Sequence, residues 1–175
     1  MIANAGVSRG TLTEQAEDAV AFREVMDINV LGMVHTFAPF IASMRAARRG
    51  ALAGIASVAG FRGLPGAGAY SASKSAAITY LESLRLELSG SGLAVVTICP
   101  GYIATPMTAG NPYPMPFIIA PERAARLIAR AIARHRRFYV LPWPMAIVGR
   151  LLRILPRPLF DLAFAHAPRK PRRPA

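Results

Sequence analysis

The chain has 175 residues, 53% of them hydrophobic, and a formal net charge of +12. This length predicts a single domain with a substantial core. Its one cysteine, Cys99, excludes an internal disulfide bond and a multi-cysteine metal site, and we expect a buried, unreactive thiol. No stretch has the roughly 18–20 uninterrupted apolar residues of a membrane span. No signal peptide is recognised at the first residues, so we expect a cytoplasmic protein.

The positive charge is concentrated in the C-terminal third. Residues 1–120 carry eight basic and seven acidic side chains, whereas residues 121–175 carry 13 and two. This imbalance predicts an electropositive C-terminal region. Nucleic-acid binding is not expected, because the basic residues are not interleaved with stacking aromatic residues and no nucleic-acid-binding motif is present.

Strands and helices are predicted to alternate along the chain. Residues 1–3 are expected to be the end of a strand that looks cut off, followed by a loop at Asn4-Ala5-Gly6. One long helix is predicted over about residues 18–48, with a possible bend at Pro39. Further elements are predicted as strands at 51–59, 93–99 and 138–141, and as helices at 70–88, 121–134 and within 142–155. Such alternation predicts an α/β fold, with a parallel sheet covered by helices on both faces.

The clearest chemical signal lies between Ser57 and Lys74. Tyr70 and Lys74 are four residues apart, so they share one face of a helix. A phenol has a pKa of about 10, and a nearby ammonium group favours the phenolate and lowers that pKa. A hydroxyl such as Ser57 can donate a hydrogen bond to a carbonyl oxygen. These residue types fit proton transfer at a carbonyl or carbinol oxygen.

These residues, together with Asn4-Ala5-Gly6, Asn29, Pro100-Gly101 and Thr105, follow one another in an order that resembles the classical short-chain dehydrogenases/reductases. The resemblance covers residues 1–141 and implies a Rossmann-like, doubly wound parallel sheet, truncated at its N-terminus. Residues 142–167 are then expected to be an amphipathic helical extension, and residues 168–175 a basic, disordered tail.

The resemblance also implies a role for each residue. Tyr70 is the implied general acid/base, Lys74 lowers its pKa and holds the nicotinamide ribose, Ser57 orients the substrate carbonyl, and Asn29 holds a water of a proton relay. The implied cofactor is NAD or NADP, and its implied contacts are Asn4, Gly6, Tyr70, Lys74, Pro100, Gly101 and Thr105. A substrate lid is expected over residues 107–120, lined by Met107, Pro112, Tyr113, Met115, Phe117 and Ile118.

One part of the family pattern is not found in this sequence. The family's glycine-rich turn, G-x-x-x-G-x-G, binds the cofactor pyrophosphate, and no such stretch occurs here. We therefore expect a fragment of an NAD(P)-dependent oxidoreductase, one that acts on an apolar or lipid-like alcohol or ketone as a homo-oligomer in its full-length form. Whether the truncated chain is active alone stays open.

Three alternatives stay open from the sequence. An epimerase or dehydratase of the wider superfamily also uses a Tyr-x-x-x-Lys pair. The basic, amphipathic stretch 146–155 fits a pocket cover or subunit interface, but it also fits peripheral contact with the inner face of a membrane. In the third alternative the chain is a non-catalytic, membrane-associating fragment. The three histidines are not spaced like metal ligands, so no metal site is expected.

Overall fold

The structure, a computed structural model, describes residues 1–172 and is built on a four-stranded parallel sheet. The strands are β1 (Ile2–Ala3), β2 (Gly50–Ile55), β3 (Leu93–Pro100) and β4 (Phe138–Leu141), in that spatial order. The helices are α1 (Asp18–Met26), α2 (Gly32–Ala47), α3 (Gly68–Glu87), α4 (Pro106–Ala109), α5 (Pro121–Ala133), α6 (Trp143–Ile154) and α7 (Arg157–Phe164).

The sheet has a separate hydrophobic core on each face because side chains alternate along its strands. Leu52 and Val95 belong to the core under α2 and α3, whereas their neighbours Ala53 and Val96 belong to the core under α5. Both faces of β2 and β3 are therefore buried, as in a parallel sheet covered by helices on two sides. This confirms the predicted α/β, Rossmann-like fold.

The parallel arrangement brings the ends of all four strands to one edge of the sheet. Paired residues run from Gly50 and Leu93 to Ile55 and Ile98, so β2 and β3 end side by side. The loops that carry Gly6, Ser57 and Gly101 leave the sheet at this edge. In open α/β sheets this is the edge at which ligands bind.

The predicted helix over residues 18–48 is interrupted by a π-turn at Asp27–Leu31, between α1 and α2. Asn29 lies in this π-turn and is only 1% exposed. Residues 18–47 are long and apolar enough, by length and composition alone, to cross a membrane. However, Val25, Asn29, Met33 and Phe37 form one buried stripe, which is typical of a helix packed on a soluble core.

The C-terminal segment runs back over the body of the protein. Residues 168–172 form no helix or strand, but Arg172 makes salt bridges with Glu17 and Asp18 at 2.7 and 2.8 Å. Lys170 Nζ donates a hydrogen bond to Ser8 Oγ at 2.7 Å. The remainder of the predicted disordered tail, residues 173–175, lies outside the described residues.

Candidate active site

Helix α3 places Tyr70 and Lys74 on one side of its first two turns. Its N-terminus is fixed by Thr11, whose Oγ1 accepts a hydrogen bond from the Ala69 backbone N–H at 3.3 Å. Ala69 and Ala77 are fully buried, so small side chains let the helix approach the sheet closely. Tyr70 is half-buried, whereas Lys74 is only 4% exposed.

The Lys74 ammonium group is held at the end of β2. Its Nζ donates a hydrogen bond to the Ile55 backbone carbonyl at 2.8 Å. Burial disfavours the charged form and lowers the pKa of Lys74 to about 8. At neutral pH this lysine is still a cation, but one that gives up its proton more readily than an exposed lysine.

The pKa of Tyr70 is raised, because burial disfavours the phenolate. The Ser57 hydroxyl acts in the opposite direction and partly offsets this effect. Lys74 Nζ lies 5.8 Å from the centroid of the Tyr70 ring and interacts with its face. In this structure burial therefore has the larger effect on the pKa of Tyr70, and the lowering of that pKa by Lys74 stays a prediction.

Ser57 is positioned by the turn that follows β2. Its backbone is extended, and its Oγ accepts a hydrogen bond from the Ala59 N–H at 3.1 Å. The following turn, Val58–Gly60, packs directly on α3, where a Cβ added to Gly60 would come within 2.6 Å of the Lys74 carbonyl carbon. Glycine at this position therefore lets the Ser57 turn approach the helix that carries Tyr70 and Lys74.

Asn29 is fully engaged in hydrogen bonds behind the candidate catalytic pair. Its Nδ2 donates to the Val7 carbonyl and to Ser73 Oγ, each at 2.9 Å, and its Oδ1 accepts from the Val7 N–H at 2.8 Å. Ser73 Oγ in turn donates to the Tyr70 carbonyl at 2.8 Å. Asn29 therefore ties the loop after β1 to the first turns of α3.

Gly6 lies between two polar groups of the site. A Cβ at this position would lie 3.2 Å from Asn29 Oδ1 and 3.3 Å from Lys74 Nζ. Both distances are tight for a real side chain, so the backbone approaches Lys74 more closely than a larger residue would allow. The Gly6 backbone and the Lys74 ammonium group can therefore both contact one molecule bound beside them.

A cavity of about 800 Å³ brings most of the predicted site together. Eight of the nine predicted site residues line it: Asn4, Gly6, Ser57, Tyr70, Lys74, Pro100, Gly101 and Thr105. Asn29 does not line it and lies behind Gly6 and Ser73. The lining also includes the apolar side chains of Met107, Met145, Val148 and Leu152.

The predicted lid is only partly right. Met107 and Tyr113 line the cavity, as expected. Pro112, Met115, Phe117 and Ile118 are not among its lining residues, and Phe117 is 52% exposed. Other residues of the same loop, Pro114 and Pro116, do line the cavity, and Ile119 is buried and pairs with the segment at Ile103.

Three residues of the site were not predicted from the sequence. Ser73 is completely buried and connects Asn29 to Tyr70; its spacing of three from Tyr70 was a signal that it shares the helix face. Arg62 lines the cavity and donates a hydrogen bond to the Leu155 carbonyl at 3.0 Å. Lys170 also lines the cavity, 5.9 Å from the Tyr70 ring centroid, and no local pattern predicts this long-range contact.

Within residues 1–172, no group of three or more His, Cys, Asp or Glu side chains is arranged to hold a metal ion. Cys99 is completely buried, and burial raises its pKa to about 12. A thiol with such a high pKa is a poor nucleophile at neutral pH. The expectation of a buried cysteine is confirmed.

The family model for short chain dehydrogenases matches residues 1–113, more than half of the chain. The chain belongs to the short chain dehydrogenase family. The chain is 40% identical over 163 residues to an uncharacterized oxidoreductase of Myxococcus xanthus. The match covers 93% of this chain and 64% of that relative, so the chain spans less than two thirds of the relative's length.

Two solved structures show the same architecture. A short chain dehydrogenase from Burkholderia cenocepacia in complex with NADP matches with a TM-score of 0.81 and 26% identity, over 95% of this chain and 68% of that one. A 3-oxoacyl-[acyl-carrier protein] reductase from Brucella melitensis with bound NAD matches with a TM-score of 0.66 and 28% identity, over 80% and 59%.

Proposed function

We propose that this short chain dehydrogenase carries the catalytic part of an NAD(P)-dependent oxidoreductase that acts on a carbonyl or alcohol group of an apolar, lipid-like substrate. The observation that carries the proposal is that Ser57, Tyr70 and Lys74 line one cavity together with the apolar side chains of Met107, Met145, Val148 and Leu152. Because the chain spans 64% of its relative, the proposal concerns the complete polypeptide to which these residues belong.

The residues around the cavity fit the nicotinamide half of such a cofactor. Lys74 lines the cavity with its ammonium group buried, and it would hold the hydroxyls of the nicotinamide ribose. Pro100, Gly101 and Thr105 line the same cavity and would hold the remainder of that half, whereas Asn4 and Gly6 would lie near the adenosine side of the cofactor. The relatives' bound NADP and NAD support this assignment and leave the choice between the two open.

When bound, the nicotinamide would supply or accept the hydride. The Ser57 hydroxyl would hold the substrate oxygen by a hydrogen bond, and Tyr70 would give that oxygen a proton or take one from it. Lys74 would stabilise the phenolate electrostatically. Its pKa of about 8 leaves it cationic at neutral pH, as this role requires.

The substrate class is inferred from the cavity walls. Met107, Met145, Val148 and Leu152 offer apolar surface in the same cavity as the proposed proton donor, Tyr70. A cavity of about 800 Å³ is within the usual range for small-molecule sites. The acyl substrate named for the Brucella reductase is consistent with this choice. We further propose a homo-oligomeric state for the complete polypeptide.

The test is the effect of Tyr70→Phe on turnover of NADH or NADPH with a panel of medium-chain ketones, in the complete polypeptide of the reading frame. We expect a loss of about 10²–10⁴-fold or more, with nearly unchanged cofactor affinity by nicotinamide fluorescence. Tyr113→Phe is the matched control, since Tyr113 also lines the cavity but is given no proton-transfer role. Full activity of Tyr70→Phe would refute the mechanism, and stereochemical inversion without net cofactor consumption would indicate an epimerase.

A further inference from the structure

The last two helices expose a set of large apolar side chains, here called the α6–α7 face. On α6 these residues follow helical spacing and form one stripe. Their exposed fractions are 73% for Trp143, 53% for Ile147, 58% for Leu151, 70% for Ile154, 54% for Leu159 and 78% for Leu162. Clustered apolar exposure of this kind marks an interaction surface.

The core does not explain this face, because α6 already uses its other side for packing. Met145 is buried, and Met145, Val148 and Leu152 face the cavity. Gly149 lies so close to the Phe61 ring that a Cβ there would collide with it. Helix α6 is thus apolar on two sides, and its outer side needs a partner of its own.

The α6–α7 face is held rigidly to the body of the protein. Arg62 donates a hydrogen bond to the Leu155 carbonyl at the corner between the two helices, at 3.0 Å. The same guanidinium lies 4.5 Å from the centroid of the Phe160 ring. The exposed residues are therefore presented by a fixed platform.

The charged residues around the α6–α7 face favour one kind of binding partner over another. Arg150, Arg153 and Arg157 are all exposed, and Asp161 is the single acidic residue between positions 142 and 172. A second copy packed on the same face by two-fold symmetry would bring these arginines close to their own copies, which is unfavourable. An anionic lipid surface offers both negative headgroups for the arginines and an apolar layer for the side chains between them.

We propose that the α6–α7 face binds peripherally to an anionic bilayer, with the two helices lying in the interface plane and Trp143 at the headgroup level. The inner side of α6 is a wall of the cavity, so the docked protein holds that cavity next to the lipid. Membrane binding is inferred only from the exposed residues of the α6–α7 face. Its consequence, delivery of an apolar substrate from the bilayer, rests on the proposed function.

Co-sedimentation of the complete polypeptide with vesicles tests the proposal. We expect binding to equimolar phosphatidylcholine and phosphatidylglycerol, and little binding to phosphatidylcholine alone. Leu151→Ser with Leu162→Ser should remove most of the binding. Arg150→Gln with Arg157→Gln should weaken it by about tenfold or more, whereas the matched pair Arg126→Gln with Arg130→Gln on α5 should have a smaller effect. A blue shift of Trp143 emission, isolated by subtracting the Trp143→Phe spectrum, should accompany binding.

All substituted side chains are exposed, so unchanged circular dichroism and melting temperature should show that the variants fold. Three outcomes would overturn the proposal. The first is that the protein does not bind anionic vesicles. The second is that Arg126→Gln with Arg130→Gln weakens vesicle binding as much as Arg150→Gln with Arg157→Gln does. The third is that the protein binds no vesicles but forms an oligomer, and that Leu151→Ser with Leu162→Ser dissociates this oligomer. The last result would identify the face as a subunit interface. None of these results depends on enzymatic turnover, so they are independent of the test of the proposed function.

Discussion

Asn29 Nδ2 donates a hydrogen bond to Ser73 Oγ at 2.9 Å, which joins the π-turn to α3 directly behind Tyr70 and Lys74. Both residues are almost completely inaccessible to solvent. Because buried polar groups are costly when unpaired, this bond couples the stability of two segments that are 44 positions apart in the chain.

The Asn29–Ser73 pair should show strong energetic coupling. Asn29→Ala removes the hydrogen-bond partner of the Val7 N–H and carbonyl and the donor to Ser73 Oγ, and we expect a loss of about 2–4 kcal/mol in the free energy of unfolding. Ser73→Ala should cost less, about 1–2 kcal/mol. Urea unfolding of both single variants and the double variant gives the coupling, expected at about 1–2 kcal/mol. Strict additivity would mean that the bond contributes nothing to stability.

Lys74 should make stability depend on pH in a particular direction. Its pKa is about 8 in the folded protein, below the ordinary value of 10.5. The unfolded chain therefore binds more protons between these two values, and the Lys74 contribution to stability rises with pH across that window. Below about pH 8 the buried charge costs up to about 3 kcal/mol.

Comparison with Lys74→Met isolates this effect from other groups. The variant should be more stable than the unmodified protein near pH 7, and the difference should shrink between pH 8 and 10. Cys99 and Tyr70, whose folded pKa values are raised, remain in both proteins and should largely cancel in the difference. A difference that does not change with pH would show that Lys74 is not desolvated as described.

Gly60 should tolerate no side chain. An added Cβ would come within 2.6 Å of the Lys74 carbonyl carbon, which is backbone and has little room to move. We expect Gly60→Ala to lower the free energy of unfolding by about 2–4 kcal/mol. The control is Gly63→Ala in the same loop, where nothing lies within 4 Å of an added Cβ. Thermal melts of both variants make the comparison, and equal melting temperatures would contradict the close contact.

Ser57→Ala should reduce kcat strongly and the free energy of unfolding only slightly. Under the proposed function, it removes the hydrogen bond to the substrate oxygen and should reduce kcat by about 10²–10³-fold. In the structure Ser57 Oγ accepts a hydrogen bond from the Ala59 N–H at 3.1 Å and donates one to the Pro100 carbonyl at 3.4 Å, so the loss of stability should be about 1–2 kcal/mol. Ser75→Ala, at an exposed position of α3, is the control and should leave both quantities unchanged. A normal kcat in Ser57→Ala would exclude the proposed orienting role.

The sequence predicted the four strands and their parallel arrangement, because β-branched and apolar runs between glycines leave few alternatives. The second strand, predicted over residues 51–59, ends already at Ile55. The strand Phe138–Leu141 has the bounds that were predicted, and α3 begins two residues before its predicted start. The π-turn was not predicted, since a buried stripe spaced every four residues also fits an uninterrupted helix. The contacts of Lys170 and Arg172 were not predicted either, because they join residues that are more than 150 positions apart.

The residues that line the site were predicted more completely than their protonation behaviour. Motif spacing identified eight residues that line the cavity, but it did not reveal that Asn29 lies behind them. The pKa of Tyr70 depends on how deeply the ring is buried, and burial is a property of the whole fold. Four of the predicted lid residues do not line the cavity, because a proline-rich sequence does not determine which side chains of a loop face inward.

The π-turn has a geometrical consequence for the whole first helical layer. In an α-helix with 3.6 residues per turn, positions four apart drift by about 40° at each step. Val25, Asn29, Met33 and Phe37 nevertheless all remain buried. The wider turn at Asp27–Leu31 absorbs part of that drift and keeps both halves of the layer facing inward. Deleting one residue from it would rotate α1 against α2 by roughly a quarter of a turn and move Asn29 away from Ser73.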